Sequence, residues 1–518
     1  MKLENESPFS NPKFLIAIAV TFIGLWGWQA YMTKAYPPPT NVVQKVATPK
    51  ASPAITESPV ATGNSAETMT VPTEEKAYSF EDDKVRWSIS SVGMGIKSFE
   101  LKKFKDRHDK QILFSSDKIF SLVVNNKKVP FAVTSISDVE LSGAALVDGR
   151  KITRVLKYDK VKMSFESKTD FERGFQSVSF VVEDKKLITS GSSYFMPSFE
   201  KQEFLYREGD KIKTEQISTV KEGESLTKSA SVVSLAAMST QYFAMAFVDK
   251  SQTAPSLNMT VLGPEARMIA NYDLTNSQVT NLTQLYYVGA KSTDILKQID
   301  PLMPEVMDLG MFGFIAKPLL VLMRLLHDGL GNWGLAIIGL TIIVRLVLLP
   351  FNILSFKSSR SMQKIQPLLK DVRERYKSDP LKVNRETMAI MKEHKANPLS
   401  GCLPMLIQIP IFFALWKTIG SSVEIYQQPF FGWISDLSVH DPLFVIPVLM
   451  GVTMFFQQKL TPSTMDPAQQ KILNFMPIIF TVFMFSLPSG LTLYNFVSAL
   501  FGVIQQYFLL KDRSAKAA

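Results

Sequence analysis

The run WGLAIIGLTIIVRLVLLPFNILSF, residues 333–356, carries a single charge, Arg345, near its middle. An apolar stretch of this length crosses a hydrocarbon core as a helix. A charge at the centre of such a helix costs roughly 2.5–3.5 kcal/mol even on insertion scales. About a dozen residues separate Arg345 from either end, or about 18 Å at 1.5 Å per residue, which is beyond the reach of a snorkelling side chain. Two uses remain for it. Arg345 faces a hydrated cavity inside a helix bundle, or it bonds loose carbonyls near a membrane proline.

Outward from that run, the 518 residues divide by composition. Residues 40–300 read as ordinary soluble protein, whereas 14–28 and most of 333–510 are dense in Leu, Ile, Phe, Met and Val, so the chain is expected to be a polytopic membrane protein with one large extramembrane domain. The net charge of +10 does not point to nucleic acid, because the basic residues cluster beside apolar runs, where they act as topology signals. Sequence-specific nucleic-acid binding is not expected. The single cysteine, Cys402, excludes an intrachain disulfide and says nothing about compartment. The four histidines, His108, His327, His394 and His440, are scattered, with no HExxH and no Cys/His cluster, so neither a metal site nor a cofactor is expected.

The organisation follows from apolar runs and charge signs. Residues 1–36 read as an uncleaved signal anchor: Lys2 and Lys13 precede the apolar stretch 14–28, and interfacial aromatics follow it. Residues 37–77, rich in Pro, Ala and Thr, read as a flexible tether. From 78 to 308, runs such as VRWSISS, KIFSLVVNN, KMSFESKTDF and FQSVSFVVED alternate with a period of two between turn residues, which predicts a large antiparallel β-sandwich; no nucleophile or metal constellation there suggests an enzyme. Residues 309–330 place Lys317, Arg324 and Asp328 on one stripe of an otherwise apolar helix, read as amphipathic and lying in the outer interface.

Segment 331–510 is expected to hold five membrane helices, six with the anchor, followed by a basic tail at 511–518. The loop 357–398 is strongly basic and is placed in the cytoplasm, while 421–442 carries Glu424, Asp436 and Asp441 with no Lys or Arg and is placed outside. Both termini are then cytoplasmic and 40–308 is periplasmic. Within 357–398, Met362, Ile365, Leu369, Val372 and Tyr376 form one apolar seam, Asp379-Pro380 opens a second helix, and Leu381, Met388 and Met391 are expected to continue the seam, giving an antiparallel hairpin. That hairpin is either a solvated connector or a docking arm for an acidic or RNA-rich partner such as a ribosome. Arg360, Lys364, Arg373, Arg375, Lys377 and Arg385 would be its contacts.

No Asp or Glu falls inside the expected spans, which argues against an ion-coupled solute transporter. A membrane-anchored periplasmic carbohydrate-binding receptor is a second rival, but it leaves the five-helix segment without a purpose. Uncharged polar residues concentrate toward the cytoplasmic half, at Asn352, Gln408, Gln457 and Gln505, with Thr341, Asn495 and Ser498 nearer the middle. They are either polar glue between helices or, with Arg345, the lining of a pocket open to the cytoplasm and closed outside. The fourth and fifth spans hold only about 14 and 13 apolar residues, roughly 20 Å of helix against a hydrocarbon core of about 30 Å, so they should thin the bilayer beside that pocket. Such an arrangement suits polypeptide insertion better than solute transport.

The strings GCLPMLIQIPIFFALW from Gly401, LMGVTMFFQQK from Leu449, MDPAQQKI from Met465, FMPIIFTVF from Phe475 and PSGLTLYNFVSAL from Pro488 resemble the YidC family of membrane protein insertases. The anchor, tether and large domain are similar to the Gram-negative form, whose periplasmic domain is an all-β supersandwich like that of sugar mutarotases. The resemblance implies a non-enzymatic insertase and chaperone of the inner membrane, with nascent membrane proteins as clients, working in the lipid bilayer alone or beside the Sec translocon. It implies Arg345 in the client groove and Phe412, Met450 and Phe483 on an apolar slide by which the client leaves. The chain departs from many relatives at Asn495, where they carry a second aromatic after Tyr494.

Overall fold

The computed structural model describes residues 75–106, 109–187, 201–221, 223–275, 277–377, 379–394, 403–460 and 467–514. The expected anchor, the tether up to residue 74 and residues 515–518 of the basic tail lie outside the described residues. The chain divides into a β unit that ends at Val306 and a helical unit that begins at Met307.

The β unit is built from two nine-stranded antiparallel sheets. One runs in spatial order Ala77–Glu81 (β1), Val85–Ser90 (β2), Ile96–Lys105 (β3), Gln111–Val124 (β4), Ser177–Lys185 (β10), Glu265–Asp273 (β17), Ser256–Leu262 (β16) and Ser225–Ala230 (β13), with Lys127–Lys128 (β5) paired to β4. The other runs Lys211–Gln216 (β12), Gln202–Glu208 (β11), Val233–Thr240 (β14), Phe243–Asp249 (β15), Asn281–Ala290 (β18), Ser164–Phe171 (β9), Arg150–Asp159 (β8), Glu140–Val147 (β7) and Ala132–Ile136 (β6). The period of two explains the packing. On β9, Phe165, Ser167, Thr169 and Phe171 are buried while Lys168 and Asp170 face out, and β8 buries Ile152, Arg154, Leu156 and Tyr158 in the same way. The two inner faces meet through rings: Phe120 of β4 stacks on Tyr286 of β18 at 4.2 Å, and Trp87 of β2 sits edge-on to Phe165 of β9 at 5.1 Å.

A fully buried arginine clasps the sheets together. Arg154 donates from Nη1 to the Gly93 carbonyl at 2.5 Å, from Nη2 to the Phe120 carbonyl at 3.0 Å and the Tyr286 hydroxyl at 3.1 Å, and from Nε to Ser167 Oγ at 3.3 Å. Its guanidinium carbon also lies 5.1 Å from the Phe180 ring centre. Gly93 and Phe120 are both left-handed, with φ of +69° and +55°, and the strain at a phenylalanine in that region is compensated by the bonds its carbonyl makes. Gly93 is also required by space, since a β-carbon there would lie 2.2 Å from Ser121 Oγ. Burial pulls the Arg154 guanidinium below its ordinary value, opposed by Tyr286 beside it, and burial pushes the Tyr286 hydroxyl up. Thr293–Ile299 (α1) and a 3₁₀ turn at Met303–Met307 follow the last strand.

The helical unit comprises Gly313–Leu330 (α2), Trp333–Arg375 (α3), Pro380–Glu393 (α4), Leu403–Ser421 (α5), Val445–Leu460 (α6), Pro467–Met484 (α7) and Ser489–Ser514 (α8). Each turn between the first elements has a local cause. Gly331, with φ of +67°, ends α2 by donating to the His327 carbonyl; Asn332 caps α3 by accepting from Leu335 N at 3.1 Å; Asp379 caps α4 by accepting from Lys382 N at 3.1 Å. The apolar face of α2 buries Ala316, Leu320 and Met323, and Arg324 from the expected charged stripe turns to form an ion pair with Glu424. Helix α3 runs unbroken from the apolar run into the hairpin, where Met362, Ile365 and Leu369 pack against Ile390 and Met391 of α4. One part of the expected seam is corrected: Leu381 is 84% and Met388 66% exposed. At about 100° per residue these two share a face opposite Thr387 and Ile390, which turn inward.

Among the described residues, Trp333–Arg375 and Ser489–Leu510 are long and apolar enough to cross a membrane, and Val445–Leu460 and Asn474–Met484 are apolar but shorter. Helix α7 begins at Pro467, and its apolar part is Asn474–Met484.

Two outcomes are expected for the β unit. Replacing Arg154 by Met removes the clasp, takes the guanidinium from the Phe120 carbonyl and leaves the Gly93 carbonyl with Leu122 N alone, so urea unfolding followed through Trp87 should show a loss of about 3–5 kcal/mol. A change under 1 kcal/mol would remove the clasp from the account. Burial raises the Asp184 carboxyl to about 6. Because the folded pKa lies above the unfolded value of about 3.9, its contribution is fully present below pH 4 and is lost as pH rises through 6; Asp184→Asn should therefore gain about 1–2 kcal/mol at pH 7.5 and nothing at pH 4. Unfolding curves at the two pH values check this.

Candidate functional site

Helices α3, α5 and α8 each bring one part of a polar chain into apolar surroundings. Arg345, half-buried on α3, donates from Nε to Ser498 Oγ of α8 at 2.7 Å and from Nη2 to the same oxygen. One turn earlier on α8, the buried Tyr494 hydroxyl lies against that of Ser498 and accepts from Gln408 Nε2 of α5 at 2.8 Å. The spacing of four residues between Tyr494 and Ser498 puts both on one face. Among the described residues no carboxylate pairs with Arg345, so its charge is met by neutral oxygen alone. A guanidinium carries five N–H donors, and Ser498 takes two, leaving donors on the half-exposed side for an incoming acceptor.

The other expected groove residues sit differently. Thr341 is fully buried and its hydroxyl bonds back to the Ile337 carbonyl of its own helix at 2.7 Å. Asn352 is half-buried two turns beyond Arg345, and Gln505 is half-buried two turns beyond Ser498. Gln457 of α6 packs on Gly502 of α8, where a β-carbon would come within 2.4 Å of its Nε2. Asn495 donates to the Leu491 carbonyl at 2.9 Å and lies 3.9 Å from Met484 Sδ, facing α7. Of the expected slide, Phe412 packs edge-on to Phe413 and Trp416 at 5.8 and 5.7 Å, Phe483 lies 6.3 Å from Phe480, and Met450 is fully buried. The structure thus brings together Arg345, Gln408 and Ser498. The sequence reading missed Tyr494 and Gly502, although the i, i+4 spacing of Tyr494 and Ser498 carried the signal for the first.

Beyond the polar chain, the end of the helices beside the loop 422–444 is packed. Ile337, Leu340, Ile419 and Leu491 are buried there, with Val423, Ile425, Ile434 and Leu437 of the loop 422–444. Asp441 fixes that loop by accepting from Ile446 N at 2.8 Å, Leu443 N at 3.0 Å and Trp433 Nε1 at 2.9 Å, and Asp436 accepts from Gln427 N and Ser438 N. Phe430 seats directly on Gly334, where a β-carbon would lie 2.0 Å from the ring. Lys417 of α5 pairs with Asp308 at 2.9 Å.

Residues 77–322 match the family of YidC periplasmic domains and residues 325–516 the family of 60Kd inner membrane proteins. A membrane protein insertase YidC from Cupriavidus taiwanensis is 32% identical over 84% of this chain and 82% of its own length. The chain belongs to the YidC family of insertases. That family is one of insertases and not of enzymes. The YidC insertases of Campylobacter jejuni and Geobacter sulfurreducens are 48% and 39% identical, over stretches that take in 43% and 57% of their own lengths. A crystal structure of an active YidC insertase with its first transmembrane domain resolved overlaps 85% of this chain and 94% of that one at 19% identity and a TM-score of 0.38. A galactose mutarotase-like protein from Lactobacillus casei overlaps 42% of the chain at 10% identity and a TM-score of 0.28. Neither overlap is high enough to add to the assignment, which rests on the sequence matches.

The seat of Phe430 on Gly334 yields a test of the outer packing. Gly334→Val must displace the ring and loosen the loop, with an expected loss of about 1–3 kcal/mol in the helical unit. Thermal unfolding in detergent, read through Trp433, should shift down in Gly334→Val and stay put in Gly329→Val, whose β-carbon would meet nothing.

Proposed function

We propose that the chain inserts nascent membrane proteins into the inner membrane, with Arg345 receiving the hydrophilic flank of the client. One observation carries this reading: a half-exposed guanidinium on a membrane helix, paired with no carboxylate among the described residues and held by the Ser498, Tyr494 and Gln408 chain. An acidic or polar client segment supplies the acceptors that the protein withholds. The packed outer end supports a groove closed on that side, and short α6 and α7 support local thinning of the bilayer, so less hydrocarbon separates the groove from the far face. Asn352, Gln457, Asn495 and Gln505 would extend the hydrated surface, Thr341 would brace α3 from behind, and Phe412, Met450 and Phe483 would guide the apolar segment into lipid.

The topology that serves this function has six spans, with both termini and the hairpin in the cytoplasm and the β unit in the periplasm. Lys364, Arg373, Lys377 and Arg385 are exposed on the hairpin and suit docking of a ribosome, while Arg375 is paired with Asp371 at 2.8 Å. Arg360 would join them; its side chain lies outside the described residues. The Sec translocon is the second proposed partner, in keeping with the family.

The test is insertion of a single-span client whose translocated segment is either acidic or neutral, at equal protein level. Arg345→Ala should lower insertion of the acidic client about tenfold or more and leave the neutral one nearly unchanged, and Arg345→Lys should retain much of the activity. Equal insertion of the acidic client by wild type and Arg345→Ala would overturn the role given to the charge.

A further inference from the structure

The β unit holds a second polar site, apart from the insertion groove. At the end of the β8–β9 hairpin a pocket of about 450 Å³ opens between the hairpin, β18 and α1. Asp159 shapes the hairpin turn by accepting from Val161 N at 2.9 Å and Lys162 N at 3.0 Å. Lys157, Lys160 and Lys162 line the pocket, and none of the three forms an ion pair among the described residues. Glu166, the other carboxylate present, is paired with Lys168 at 3.2 Å. The pocket is therefore electropositive.

Ser164 supplies an independent sign of a ligand. It is only 4% exposed, it borders the pocket, and its hydroxyl has no hydrogen-bond partner among the described residues. What remains exposed of Ser164 borders the pocket, where its hydroxyl can donate to or accept from a ligand. Leu285 and Ile299 form an apolar floor, which lowers the local dielectric and strengthens whatever charge contact is made above it.

The lining chemistry selects the class of ligand. Planar carboxylates are read by the fork of an arginine, and no arginine lines this pocket. Lysine ammoniums outside any ion pair, beside two carboxylates already engaged, Asp159 by the turn amides and Glu166 by Lys168, suit a tetrahedral anion with acceptors in several directions, and a pocket of this size holds a small molecule. Glu166 and Ser164 lie where they can bond hydroxyls beside that anion. We propose that this pocket binds the phosphoryl group of a glycerol-sized phosphoester, with Lys157, Lys160 and Lys162 on the phosphate and Ser164 and Glu166 on the polyol. The same chemistry is offered by a soluble glycerol phosphate and by the headgroup of a phosphatidylglycerol lipid.

The experiment uses the full chain in nanodiscs of zwitterionic lipid, titrated calorimetrically with glycerol 3-phosphate. One saturable site is expected, with no heat from glycerol alone. The Lys160→Gln/Lys162→Gln variant should weaken binding by about tenfold or more, and Ser164→Ala by severalfold, whereas Lys211→Gln on the distant edge strand should change nothing. Repeating the titration in nanodiscs that contain phosphatidylglycerol assigns the source: competition identifies a lipid headgroup, and unchanged affinity identifies the soluble phosphoester. Absence of a saturable site in the wild type, or binding that the double lysine variant leaves intact, would overturn the proposal.

Discussion

A guanidinium held away from bulk water needs acceptors, and in the helical unit Arg345 finds them in one serine hydroxyl. Ser498 can serve only while Tyr494 is held beside it, and Tyr494 is held by Gln408 from a third helix. The geometry of α3, α5 and α8 is thus coupled to one charge. The tight packing of Phe430 on Gly334, with Asp441 closing the loop onto α6, holds those helices in register at that end.

Two arginines in apolar surroundings, Arg154 and Arg345, are used in opposite ways. Arg154 places its donors on two carbonyls and two hydroxyls and lies against aromatic rings, so nothing of it is left for a ligand. Arg345 bonds a single oxygen and stays half-exposed. Both charges lack a carboxylate partner among the described residues, yet the first is internally satisfied and the second is not. Satisfaction of donors, more than burial, separates a structural clasp from a receiving site.

Much of this was legible in the chain. The period of two in KMSFESKTDF located β9, and the apolar run around Arg345 located the first half of α3, because burial patterns follow element geometry directly. The seam of the hairpin was read correctly on α3 and at Met391 of α4 but not at Leu381 and Met388, which are as apolar as the residues that turn inward, and only the partner helix decides between two faces. Gln408 and Ser498 were legible as polar exceptions in apolar helices. Tyr494 was not, because a tyrosine among Leu and Phe reads as core until the hydroxyl is seen bridging two helices. Likewise Arg154 resembles any lysine or arginine of an alternating strand, and its capture by left-handed carbonyls 34 and 61 residues away has no local signature.

Helix α3 joins the hairpin to the groove as one rod. Met362, in the hairpin core, stands about 26 Å along the axis from Arg345 at 1.5 Å per residue. Two prolines interrupt its ladder: Pro350 leaves the Leu346 carbonyl without its usual amide, and Pro367 does the same for Gln363. A load taken up by the hairpin is therefore delivered as bending at Pro350, five residues from the guanidinium. The rod works as a crank, so whatever grips the hairpin also sets the angle at which the Arg345 charge is presented.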